Sequence, residues 1–222
     1  FNKLRFAYSN AYHVFFVSKE TKRIVENQIS LSMANVASIV SCPCNVPFDV
    51  EMPFPTLNNG LKMACVGRLE PEDKGQDLAI SVLSQKKWRT RNITLSLFGA
   101  GNGDRLINSL IKYYNLTSVI NNGFTLDVKN IWKNHHVLLL PSRAEGKPLS
   151  IMEAMLCGRV SAVTNVAGNT ELIENNVTGF VADFPRIESV DRMLETVWKN
   201  MDRLSSIGKN AKRSARALLD PN

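Results

Sequence analysis

From Leu61 onward, short apolar runs alternate with segments of helical periodicity, and few architectures satisfy that alternation. The apolar runs predict strands over 62–66, 94–98, 119–121, 137–140, 160–164 and 179–182. Helices are expected over 76–84, 104–114, 127–133, 148–156, 170–174 and 187–200, with a last one over 204–218. A strand that is apolar throughout, such as Val137-Leu138-Leu139-Leu140, suits a parallel sheet covered on both faces. The expectation is therefore an α/β, Rossmann-like parallel sheet with helices on both faces. Ligands of such sheets sit outside the carboxyl ends of the strands. That rule singles out the loops at Gly67, Gly99, 122–124, 142–147 and 165–169.

The first 57 residues read differently. The run His13-Val14-Phe15-Phe16-Val17 predicts a strand, and Ser18 is placed to cap a short helix with Glu20 or Thr21 in its first turn. A second strand is expected over 36–40. Pro43, Pro47, Pro53 and Pro55, followed by Asn58-Asn59-Gly60, mark a linker. The expected organisation is a remnant of another domain with its linker over 1–57 and the sheet domain over 58–222. A chain of 222 residues accommodates one good-sized α/β domain plus such a piece. The absent initiator Met and the abrupt end after Leu219-Asp220-Pro221-Asn222 suggest an excerpt of a longer protein.

Composition excludes some classes. No apolar run approaches the ~18 residues of a transmembrane helix. Lys and Arg outnumber Asp and Glu by 27 to 20. The excess gathers near the ends, among residues such as Lys19, Lys22, Arg23, Lys209, Lys212 and Arg213. Such faces attract anionic lipid or nucleic acid, or are simply solvated helix surface. Nothing in the sequence matches a nucleic-acid-recognition motif, so no nucleic-acid partner is expected. Cys42-Pro43-Cys44 is too tight for the usual metal spacing, and no metal site is expected. Reduced thiols in a cytosolic protein account for the four cysteines. In that compartment the Asn-x-Thr triplets at Asn92, Asn115 and Asn176 carry no meaning.

The most informative stretch runs from Pro141 to Met155, with Glu145 in a strand-to-helix turn and Glu153 in the second turn of the helix. Pro148 suits the first helical position. Free amides at that helix start would seat a phosphate between the two carboxylates, and carboxylates accept hydrogen bonds from vicinal sugar hydroxyls. A nucleotide-sugar has hydroxyls at both ends and phosphates between. Against this, acidic residues favour helix starts for electrostatic reasons alone.

After the first core strand, Gly67-Arg68 and Lys74 place two cations at one strand end. They either grip a phosphate or pair with Glu70, Glu72 or Asp73. After the second, Gly99-Ala100-Gly101-Asn102-Gly103-Asp104 lacks the third glycine of a dinucleotide fingerprint, and a tight turn near a ligand explains it. His135 and His136 precede a buried strand and read as packing residues.

Taken together, Gly67-Arg68-Leu69, Lys74-Gly75, Gly99-Ala100-Gly101, Glu145-Gly146 through Glu153-Ala154-Met155, and Gly168-Asn169-Thr170-Glu171 resemble the donor-binding domain of retaining glycosyltransferases of family 4, the glycosyl transferases group 1. The resemblance spans roughly residues 61–183. It implies the C-terminal half of a GT-B fold, and a hexosyltransferase acting with retention at the anomeric carbon. It also implies no obligatory metal or other cofactor, and a UDP- or GDP-linked donor. Arg68 and Lys74 would contact the diphosphate and Glu145 the donor sugar. Glu153 would take the ribose hydroxyls. Gly67, Gly99, Gly101, Gly146, Lys147, Pro148 and Leu149 would line phosphate and sugar, and Phe124 would border the base. Lys147 replaces an aromatic residue common in the family, while Ala167 and Thr170 replace a glycine and a proline.

By the same resemblance, the acceptor is a glycan or a lipid-linked glycan, as in bacterial surface polysaccharides, held by a missing N-terminal domain. The setting would be cytoplasmic, at the inner face of the membrane if the basic ends bind acidic lipid. The alternative is a module that binds a nucleotide-sugar or another anion without catalysis. The chain by itself is expected to bind nucleotide-sugar weakly and to transfer no sugar; robust turnover by these 222 residues alone would refute that.

Overall fold

The computed structural model describes residues 2–40 and 43–219. Cys42, half of the Cys-Pro-Cys triplet, lies outside the described residues.

The N-terminal unit comprises α1 (Asn2–Ser9), β1 (Val14–Phe16), α2 (Lys19–Ile29) and β2 (Ala37–Ile39), with β1 and β2 paired in parallel. Phe16, Ile29 and Met33 form its small core. The helix α1 has no counterpart among the elements expected from the sequence. Ser18 does cap α2, its hydroxyl accepting from the Thr21 amide at 3.1 Å. A second cap comes from far along the chain: the Glu171 carboxylate accepts from the amides of Lys19 (3.2 Å) and Glu20 (2.7 Å). An anion at the positive end of a helix is favourable, so this contact holds the two units together.

Beyond a short 3-10 turn at Leu57–Asn59 the main sheet begins. Its strands are β3 (Leu61–Val66), β4 (Ile93–Phe98), β5 (Val119–Asn121), β6 (Val137–Leu140), β7 (Val160–Thr164) and β8 (Gly179–Ala182). Every pairing is parallel, in the order β5-β4-β3-β6-β7-β8. The connecting helices are α3 (Pro71–Lys74), α4 (Gln76–Leu83), α5 (Lys86–Arg89), α6 (Asp104–Tyr113), α7 (Val128–Asn134), α8 (Leu149–Leu156), α9 (Asn169–Leu172), α10 (Ile187–Lys199) and α11 (Leu204–Leu219). Six strands fall within one residue of expectation; α3 and α5, one turn each, carry no periodicity to read.

Alternation along the strands sorts two cores. Leu61, Met63, Val137 and Leu139 point toward the cluster that includes Ile80, Ile107 and Leu194. Ala64, Leu138, Leu140 and Val163 point toward Ile151, Met155, Ala211 and Ala215. The sheet is thus filled from both sides, which explains a β6 buried at all four positions.

The Pro-rich stretch is not a loose tether. Val46 is buried among the residues of α8, Glu51 pairs with Lys212 and Arg216 of α11 at 2.8 Å each, and the Pro53 carbonyl accepts from Arg159 at 2.8 Å. Arg159 is fully buried, also donates to the Trp132 carbonyl, and among the described residues leaves Nη1 without a partner. Burial pushes its pKa down to about 10, so it stays cationic at neutral pH.

His136 is equally buried. Its Nδ1 accepts from the Lys62 amide at 2.9 Å and its Nε2 faces the Thr56 carbonyl at 3.1 Å, which fixes the neutral Nε2–H tautomer. Desolvation lowers the pKa of both His135 and His136 below the ordinary value. The unfolded chain therefore takes up protons near pH ~6.5 while the fold resists them, so this stability is complete above ~6.5 and lost as pH falls toward the lower folded values. Thermal denaturation should show a falling Tm between about pH 7 and pH 5.5, above the carboxylate range. His135→Gln should flatten the fall; an unchanged slope would remove these histidines from the account.

Candidate functional site

Strand order reverses between β3 and β6: the chain leaves β3 for β4 and β5, then returns to β6 on the other side. The connections diverge there and leave a crevice at the carboxyl ends. A cavity of about 530 Å³ occupies this position, a size common for small-molecule sites.

One wall is the turn after β3. Gly67 and Arg68 leave the strand, Pro71 starts α3, and Gly75 ends it in the left-handed region (φ 68°). A Cβ at Gly75 would collide with the Pro141 carbonyl, so only glycine lets this turn lie on the end of β6. The neighbouring Lys74 then reaches Glu145 across the crevice, its Nζ 2.8 Å from both carboxylate oxygens. The Ser142 hydroxyl donates to the same carboxylate at 2.7 Å. Side-chain exposure is 16% for Lys74 and 4% for Glu145, so the pair is largely desolvated. Arg143 fastens the loop from behind: its guanidinium grips Asp77 at 2.7 and 2.8 Å, and its amide donates to the Asp73 carbonyl at 2.7 Å.

Of the two expected cations, only Arg68 pairs with its sequence neighbours. It meets Glu70 at 2.8 Å with a 66%-exposed side chain. Exposed pairs of this kind contribute little, so Arg68 can turn to an anion at small cost.

The other wall is α8. The spacing suggested Pro148 as the first helical residue; instead Pro148 is the cap, with extended ψ of 122°, and Leu149 begins the helix. Pro148 has no N–H to lose in either position. Leu149 and Ser150, in the first turn of α8, line the cavity, and helical backbone has no internal acceptor for the amides of a first turn. Glu153, only 3% exposed, lines the cavity one turn on and accepts from the Asn45 side chain at 2.6 Å. Val66, Phe98, Val128 and Ile131 give an apolar floor, and Phe124, 69% exposed, stands at the rim.

Nine of the twelve expected site residues line this cavity: Gly67, Arg68, Lys74, Gly99, Phe124, Glu145, Pro148, Leu149 and Glu153. Gly101, Gly146 and Lys147 do not. Gly101 turns toward the Leu69 carbonyl, where a side chain would clash, so it serves the packing of one loop on another. Gly146 lies against Val17, and its carbonyl accepts from the Gly168 amide at 3.2 Å. Lys147 is half-buried outside the lining. Asn45 and Ser142 were missed. Ser142 acts within its own loop, three residues before Glu145, where a serine carries no distinctive signal, and only the fold brings Asn45 to Glu153.

Among the described residues, no group of three or more His, Cys, Asp or Glu could hold a metal ion, and no helix is long and apolar enough to cross a membrane.

Residues 53–214 match the family model described as glycosyl transferases group 1. Over 67 residues the chain is 40% identical to the UDP-Gal:alpha-D-GlcNAc-diphosphoundecaprenol alpha-1,3-galactosyltransferase of Escherichia coli, which is 30% of this chain and 17% of that protein. Over 130 residues it is 34% identical to the putative colanic acid biosynthesis glycosyltransferase WcaL of Salmonella typhimurium, covering 54% of the chain and 32% of the relative. The chain thus spans about a third or less of these curated relatives. Its fold matches that of Anabaena Alr3699/HepE, solved with UDP and glucose, with a TM-score of 0.83 at 21% identity over 97% of this chain and 62% of that one. Sucrose-phosphate synthase from Thermosynechococcus elongatus matches with a TM-score of 0.82 at 19% identity, covering 98% and 57%. The sheet and its helices are therefore those of one half of a GT-B glycosyltransferase.

The Lys74–Glu145 pair should be strongly coupled. Lys74→Met leaves a buried carboxylate without its counter-charge and should cost about 3 kcal/mol of unfolding free energy in urea titrations. Adding Glu145→Gln should recover most of the loss; a silent single variant would show that the pair does not support the loop.

Proposed function

Because the chain belongs to the glycosyl transferases group 1, we propose that it is the donor-binding half of a retaining hexosyltransferase that takes its sugar from a nucleotide-sugar. The observation that carries this reading is the buried Lys74–Glu145 pair at the sheet's switch point, sharing one cavity with the helix start at Leu149 and the carboxylate of Glu153. In this reading the diphosphate lies across the amides of Leu149 and Ser150, with Arg68 and Lys74 neutralising its charge. Glu153 receives the ribose hydroxyls and Glu145 those of the donor sugar. The apolar floor and Phe124 border the base.

The reaction breaks the bond between the anomeric carbon and the diphosphate oxygen. The acceptor oxygen bonds to that carbon on the same face, and its proton passes to the departing diphosphate. Negative charge grows on the leaving group as the bond opens. Lys74, already held in place by Glu145, whose carboxylate Ser142 steadies in turn, meets that charge without reorganisation. The donor itself supplies the base, so no protein base is required.

Names of the relatives support a bacterial surface glycan or its lipid-diphosphate-linked precursor as acceptor. Exposed Lys209 and Arg213 on α11 are suited to an acidic membrane surface, which supports the reading of an enzyme that works at the cytoplasmic face of the membrane. Residues beyond this chain would supply the rest of the acceptor site.

Calorimetric titration with UDP, GDP, ADP and dTDP, free and sugar-linked, tests the reading. One base should be preferred, and Glu153→Ala should weaken that nucleotide by about 10- to 100-fold, the value of lost hydrogen bonds to a charged group. A chain that binds none of them is not a donor site.

A further inference from the structure

Glu153 is almost wholly buried, yet among the described residues no cation pairs with it. Its carboxyl group is met by one described residue, Asn45, 108 positions earlier in the chain. The Asn45 side-chain amide donates to Oε1 at 2.6 Å and its backbone N–H donates to the same oxygen at 3.3 Å. Among the described residues Oε2 accepts no hydrogen bond, and the residue faces the cavity.

Two donors on a single oxygen do two things. They occupy that oxygen without a salt bridge, and they fix the carboxylate's rotation, which leaves the second oxygen for an incoming donor. Asn45 is itself rigidly placed. Its neighbour Val46 is buried in the α8 core, and further on the Glu51 and Pro53 anchors hold the same segment. Asn45 is solvent-exposed for its own part. Core packing thus gives no reason for an amide here, while the Glu153 carboxylate does.

We propose that Asn45 is a positioning residue for ribose recognition: it holds Glu153 aimed so that the free carboxylate oxygen takes a ribose hydroxyl. The inference rests on the donor-site reading above. It adds that the segment leading into the sheet domain, not the domain alone, sets how well the ribose is read.

The test is discrimination between ribose and deoxyribose. UDP and GDP, each with its 2′-deoxy and 3′-deoxy counterparts, are titrated into the wild-type chain and into Asn45→Ala and the near-isosteric Asn45→Leu, with Tm recorded for each. Wild type should prefer a ribonucleotide over a deoxy form by about tenfold or more. In both variants the ribonucleotide should weaken by about that factor while the deoxy forms stay unchanged, so the ratio falls to about one. If all forms weaken equally, Asn45 is a tether or touches the base directly, and the proposal is overturned. A ratio that survives in the variants overturns it too, as does failure of both variants to fold. Absence of any ribose preference in the wild type instead removes the role given to Glu153, and with it the premise.

Discussion

The close contact of the β3 turn with the end of β6 is the constraint on which the crevice depends. Gly75 presses its backbone on the Pro141 carbonyl, and everything else at that seam follows from the approach: the Lys74–Glu145 pair, the Ser142 hydroxyl on the same carboxylate, and the Asp73 carbonyl under the Arg143 amide. A side chain at position 75 would push the two loops apart. The charged pair would then open to water, where attraction between the charges is weak. Backbone geometry, not charge, comes first.

The same economy holds on the glycine loop after β4. Gly99 and Gly101 accept the Gly67 and Leu69 carbonyls where side chains would stand. Loop packs on loop without intervening side chains, and the strand ends of β3 and β4 finish level with each other. Facing them, the N-terminal unit seats Val17 and Ser18 on Gly146 and Gly168 and has α2 capped by Glu171. The four loops after β3, β4, β6 and β7 are thereby joined in one continuous surface.

Much of this was legible in the sequence. Buried parallel strands are nearly pure aliphatic runs, so all six were placed, and the rule that ligands sit outside the strands' carboxyl ends singled out the loops that carry Arg68 and Glu145. What failed were features whose cause lies elsewhere in the chain. Pro148 caps rather than begins α8, because helix spacing does not distinguish adjacent starts. Gly101 lies against the Leu69 carbonyl and outside the cavity lining, and a glycine's freedom does not say what approaches it. Asn45 sits in a proline-rich stretch that reads as linker, and its partner is 108 residues away. The Lys74–Glu145 pair was visible as two residues but not as a pair, since Glu70, Glu72 and Asp73 lay closer along the chain.

Strand pairing also has a consequence for how the molecule assembles. The β3, β4 and β5 strands can associate through successive helical crossovers of modest length. By contrast β3 meets β6 through only Met63↔Val137 and Ala64↔Leu138, after an excursion out to β5 and back. Closing so long an excursion is entropically costly and rewarded late. The crevice lies on that seam, so it is absent from any partly folded species that holds only the first three strands. During synthesis the cavity cannot exist before the chain has reached Glu153, and its completion reports that the two halves of the sheet have met.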